Sequence, residues 1–151
     1  MMAAMKPSLA IALVALVSLT ANAASAYTWS PPKGSVRLHG QITFTPNEGG
    51  KPFKCGVTMD FKPARNGGEI TAVKFPRGDC EGVGFSSEFP WKVGIQDANT
   101  GGIAGGQFTS GSGNCVQIGE PFQVNGSGIW TFYVGCLVGT LTSDPPTTIV
   151  P

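Results

Sequence analysis

Histidine and formal charge are scarce in this chain. Its 151 residues include one His, and Asp, Glu, Lys and Arg together make up 13%. Acid–base catalysis draws on His and on carboxylates or amines with shifted pKa values, so the composition weighs against an enzyme. Ten basic against nine acidic residues leave a formal charge of +1. No basic surplus therefore draws the chain to nucleic acid or to an anionic membrane. Zinc spacing is missing: there is no C-x-x-C, and His39 has no second His to pair with. No G-x-S-x-G elbow occurs. Gly101-Gly102 and Gly105-Gly106 do not make the G-x-G-x-x-G that cradles a phosphate. No cofactor, metal or catalytic residue is expected. A stripe of 3.6-residue period over a helix's length is also lacking. The sequence is rich instead in glycine (22), proline (12) and aromatics, with nine Phe, three Trp and two Tyr.

One uncharged apolar run stands out. Residues 9–19 form it behind Lys6, and Ala24-Ser25-Ala26 follows as an A-x-A cleavage signal. This is the pattern of a helical signal peptide over residues 1–26, with Tyr27 as mature N-terminus. The run is about half of the ~20 residues that cross a bilayer, and no later stretch reaches that length. The first Cys is Cys55, too distant for a lipid anchor. The expected location is extracellular or at the cell surface, with the periplasm as alternative. Loss of Lys6 leaves nine basic against nine acidic residues, a neutral chain with little electrostatic protection against self-association.

Four cysteines, Cys55, Cys80, Cys115 and Cys136, behind an export signal read as two disulfides. Three connectivities are open. Cys55–Cys80 with Cys115–Cys136 is preferred, because each pair lies within one half of the chain and closes a loop of similar length. Each closed loop stabilises by roughly 3–4 kcal/mol in the chain-entropy model.

Period-2 alternation predicts strands. Val36, Leu38, Ile42 and Phe44 share one face, and Arg37, His39, Gln41 and Thr43 the other. Further strands are expected over 55–62, 70–75, 91–95, 103–109, 115–118, 122–124 and 147–150. Residues 129–141, apolar at most positions, read as a central strand buried on both faces. Gly- and Pro-rich turns separate them, as at Pro63 to Gly68 and Asn125-Gly126. About eight short strands indicate an all-β fold. A single antiparallel sandwich over residues 27–151 is preferred, with a barrel as alternative.

Few residues suggest chemistry. His39 reads as an exposed strand residue. Asp79 and Glu81 flank Cys80 in a solvated loop, although a hydrolase would need such a pair. Asn125-Gly126-Ser127 matches a glycosylation sequon. The aromatics are the stronger lead. Tyr27 and Trp29 lie next to a terminus, beside Pro31-Pro32, and Phe85, Phe89 and Trp91 crowd a loop that enters a strand. These five are the candidate apolar-contact residues. Core filling is the competing reading, above all for Trp91 and Trp130.

Several segments, taken in order, resemble the PraA/PraB-type alkane-oxidation activator proteins of bacteria. They are the signal peptide, the strand opened by Cys55 (CGVTMDF), Val73-Lys74-Phe75 leading to Gly78-Asp79-Cys80, and Phe89-Pro90-Trp91-Lys92-Val93. Cys115, Trp130-Thr131-Phe132 and the ending from Gly139 to Pro146 complete the set. The resemblance implies an exported protein that promotes hydrocarbon use without being the oxygenase, with surface and biofilm roles. It brings no catalytic residue. The expected partner is hydrocarbon or an oil–water interface. The alternative is a biofilm-matrix or fibre-forming surface protein, whose partners would be its own copies or cell-surface components.

Overall fold

The computed structural model describes residues 27–46, 49–76, 80, 82–85, 88–105, 107–110, 113–115 and 119–151. The segment expected to be a signal peptide, residues 1–26, lies outside these, as do Asp79 and Glu81. Among the described residues the fold is all β and has no helix.

Eight strands close into an antiparallel barrel. They are β2 (Val36–Phe44), β3 (Phe53–Ala64), β4 (Gly67–Lys74), β6 (Trp91–Ile95), β7 (Thr100–Ala104), β10 (Glu120–Val124), β11 (Ile129–Phe132) and β12 (Leu137–Asp144). Each pairs with the next in chain order, and β12 returns to β2 through eight pairs, from Leu137 opposite Phe44 to Asp144 opposite Arg37. The result is an up-and-down barrel, the alternative architecture, rather than a sandwich. Alternation along each strand is the same in both; long-range pairing of β2 with β12 decides between them. Two small sheets complete the fold. β1 (Thr28–Ser30) pairs with β13 (Thr148–Val150), and β5 (Gly84–Phe85), β8 (Phe108–Ser110) and β9 (Gly113–Cys115) form a three-stranded sheet.

The inward face of β2 is the expected one: Val36, Leu38, Ile42 and Phe44 are buried while Arg37, His39 and Gln41 are exposed. The 129–141 segment differs. It is two strands joined through Tyr133 to Cys136, where Gly135 takes φ +87°. Only one face of β12 is buried, and Val138 points outward, 41% exposed. The expected 103–109 strand is likewise split between β7 and β8. Close approach fixes Gly101 on the inner face, since a Cβ there would lie 2.6 Å from the ring of Phe122.

The barrel's two ends are built differently. At one end the links are short. Arg65 and Asn66 join β3 to β4, with Asn66 at φ 64°. Asp97 Oδ1 accepts from the amides of Asn99 (3.0 Å) and Thr100 (2.9 Å), holding its carboxyl below the usual range. Asn125 Oδ1 accepts from the amides of Ser127 (2.9 Å) and Ile129 (3.0 Å), so the side chain of the sequon serves the turn. The β1–β13 ribbon covers this turn end. Trp29 stacks on Trp130 at 4.9 Å and donates its indole N–H to the Gly67 carbonyl at 2.6 Å. Trp130 donates to the Thr147 carbonyl at 3.3 Å. Ser143 Oγ donates to the Gly128 carbonyl (2.6 Å) and accepts from the Thr147 amide (2.8 Å). At the opposite, loop end lie the connections 45–52, 75–90, 105–119 and 133–136, and the β5–β8–β9 sheet grows out of two of them. The disulfides are at this end and have the preferred connectivity, Cys55–Cys80 and Cys115–Cys136.

Candidate functional site

Aromatic side chains form two groups, one per end. Trp29, Phe61, Phe122 and Trp130 fill the interior toward the turn end, with Phe132 packed on Phe122 from the far end of β11, all at most 1% exposed. Alternation places Phe61, Phe122, Trp130 and Phe132 inside. Trp29 reaches them because β1 lies across the end of the barrel. This overturns the expectation that Trp29 is a surface contact. Its position just after the expected cleavage site suggested exposure, but pairing of β1 with β13 in the register Thr28–Val150 to Ser30–Thr148 ties it down. Tyr27, one residue before β1, is half-buried at the same end.

The second group runs outward. Phe108, brought in by β8, meets Phe44 edge-on at 4.6 Å, and both are buried. Phe44 touches Phe53 (5.5 Å) and Phe75 (5.7 Å), and Phe75 stacks on Phe85 (5.6 Å). Phe85 meets Phe89 (5.6 Å) and Trp91 (5.1 Å), which stack on each other at 4.5 Å. Exposure rises along this chain from 2% at Phe44 to 36% at Phe89. Phe85, Phe89 and Trp91 are thus brought together, while Tyr27 and Trp29 sit at the other end. Trp91 is itself buried, its ring against Gly105, so it supports Phe89 instead of meeting solvent.

Three more exposed hydrophobics share the loop end: Tyr133 and Val134 in the β11–β12 link, each 48% exposed, and Val138 near the start of β12. Expecting one buried strand over 129–141 hid them; Gly135 beside a cysteine was the signal of a break. Both disulfides anchor these connections, since Cys80 lies in the β4–β6 link and Cys136 next to Val134 and Gly135.

Glu120 is the other feature that was not anticipated. Gly119-Glu120-Pro121 falls between the expected strands 115–118 and 122–124. Alternation with Phe122 and Val124 instead puts Glu120 on the inner face of β10, fully buried, with no hydrogen-bond partner for either carboxylate oxygen. Loss of water around it raises its pKa to about 8. On the outer surface β6 and β7 present a groove of about 650 Å3, floored by Gly94 and Gly102 and flanked by Lys92, Gln96 and Gln107. Lys92 pairs with Glu69, and His39 stands exposed on the outer face of β2.

Residues 2–149 match the family model described as alkane oxidation protein activator PraA/PraB-like. No curated protein and no solved structure matches the chain.

Proposed function

Because the chain belongs to the PraA/PraB-like family of alkane oxidation protein activators, we propose that it is an exported, non-enzymatic bacterial protein that promotes hydrocarbon use by apolar contact at its loop end. The carrying observation is the aromatic chain from Phe44 to Phe89, which joins the core to the surface, on the end that also exposes Tyr133, Val134 and Val138. Apolar surface taken from water is worth roughly 25 cal/mol per Å2, so a few such side chains suffice for reversible adsorption to an oil surface. Alkane hydroxylation needs a metal or flavin centre, and a chain so poor in His supports a role beside the oxygenase. Two disulfides on the contact end suit it to an oxidising, extracytoplasmic setting.

A fibre-forming matrix protein was the alternative. Its support was zero net charge over residues 27–151, high glycine content and an N-terminal alternating strand that could pair with a neighbour's open sheet edge. That strand, β2, is paired on both sides within the barrel, so the interfacial reading is preferred. The test is pendant-drop tensiometry of residues 27–151 against hexadecane at micromolar concentration. A fall in interfacial tension is expected; an unchanged tension counts against the function.

A further inference from the structure

β10 begins with a side chain foreign to an apolar interior. Glu120 faces inward, is 0% exposed, and has two unpartnered carboxylate oxygens. The flanking strands offer no charge, since neither β7 nor β11 has an ionisable residue. One strand beyond, β6 has only Lys92, exposed and paired with Glu69, and β12 has only Asp144, exposed at the turn end. The charged residues of β2, β3 and β4 do not join the buried set, in which Glu120 is the only one of charged type among the described residues. Cys115 and Cys136 are bonded to each other. A carboxyl so placed is stable inside only as the neutral acid.

The strands that hold it are weakly joined. β10 is held by short ladders on both sides, four residue pairs with β7 and three with β11, against nine between β2 and β3. A proline and two glycines fall on the β7 side. Pro121, opposite Gly102, has no N–H to give to the ladder. Gly101 and Gly102 add no side chains across the seam. Both strands meet the loop end at glycines in the left-handed region, Gly105 (φ 117°) and Gly119 (φ 88°), which leaves pivots where the seam starts.

We propose that the β7–β10 seam is a proton-controlled opening of the barrel's loop end, closed while Glu120 is neutral and parted when Glu120 ionises. The carboxylate gains water when β10 moves away from β7, and this movement uncovers the inward ring of Phe122. The pKa of about 8 places the change in mildly alkaline solution. That the opening adds apolar surface for hydrocarbon contact rests on the functional reading above; the opening itself does not.

Native-state hydrogen exchange tests it on residues 27–151. After correction for the intrinsic rate, protection of the β7 and β10 amides should fall about tenfold or more between roughly pH 6.5 and pH 9.5, and at the higher pH should lie well below that of β2 and β3, which open only with the whole barrel. Glu120→Gln should hold its protection at both values. Glu120→Met serves the same purpose if the amide variant does not fold. Unchanged protection in the wild type, or an equal fall in the variants, overturns the proposal. Tension against hexadecane on the same samples separates the two ideas. Seam opening with no tension change upholds the opening and removes the interfacial function. Lowered tension without seam opening does the reverse.

Discussion

The two ends of the barrel use the same residue type to opposite effect. At the turn end, Trp29 and Trp130 stack at 4.9 Å with both indole N–H groups bonded to carbonyls, and nothing aromatic in that group is more than 1% exposed. At the loop end, a string of rings runs from the core to Phe89 at 36% exposure. Short links with side-chain caps close the first, and long connections held by disulfides carry the second. Aromatic content alone therefore does not mark a contact surface. What distinguishes the loop end is that its outermost rings have no strand pair over them. An aromatic ring that ends in solvent adds little to stability and much to adsorption, whereas one that ends under a paired strand does the reverse.

The strongest way to break this contrast is pH. Glu120 rises from 4.5 to about 8 on folding. The unfolded chain therefore releases its proton first, and the stability present below about pH 4.5 declines as pH climbs to about 8, then levels off. The full loss is on the order of 4–5 kcal/mol. In urea titrations Glu120→Gln should lack this decline, while every turn-end variant should retain it.

Truncating the turn-end stack comes next. Trp29→Ala removes a buried ring and its bond to the Gly67 carbonyl, and should cost roughly 3–5 kcal/mol in thermal or urea unfolding. Removing the loop-end bridge with Cys115→Ser and Cys136→Ser should cost roughly 2–4 kcal/mol and loosen the 133–136 link in hydrogen exchange. Gly101→Ala forces a methyl to within 2.6 Å of the Phe122 ring and should lower stability by roughly 1–3 kcal/mol. The smallest effect on stability is Phe89→Ser, about 0.5 kcal/mol or less, with a clear loss of adsorption. A large stability loss at Phe89 would mean that the two ends are not different after all.

Much of the barrel was readable from the alternation of β2 and β3, and the cysteine pairing from sequence halves. Closure was not, because the β2–β12 contacts join residues about a hundred positions apart and leave no local trace. Trp29 misled for a related reason: nearness to the expected mature N-terminus says nothing of the strand pair with β13. Phe85 and Phe89 were legible as neighbours because they crowd one loop. Tyr133 and Val134 were missed because an apolar run looks the same whether it is a buried strand or an exposed link. Glu120 was hidden by the Gly and Pro beside it, although its spacing from Phe122 and Val124 already placed it on the inner face.

The most direct measurement compares interfacial tension against hexadecane for two variants of residues 27–151. One carries Phe89→Ser, Tyr133→Ser and Val134→Ser at the loop end, and the other carries Tyr27→Ser at the turn end. The loop-end variant is expected to lose most of the wild-type fall in tension and the turn-end variant to keep it. Equal activity in the two, or loss in the Tyr27→Ser variant alone, would contradict contact through the loop end.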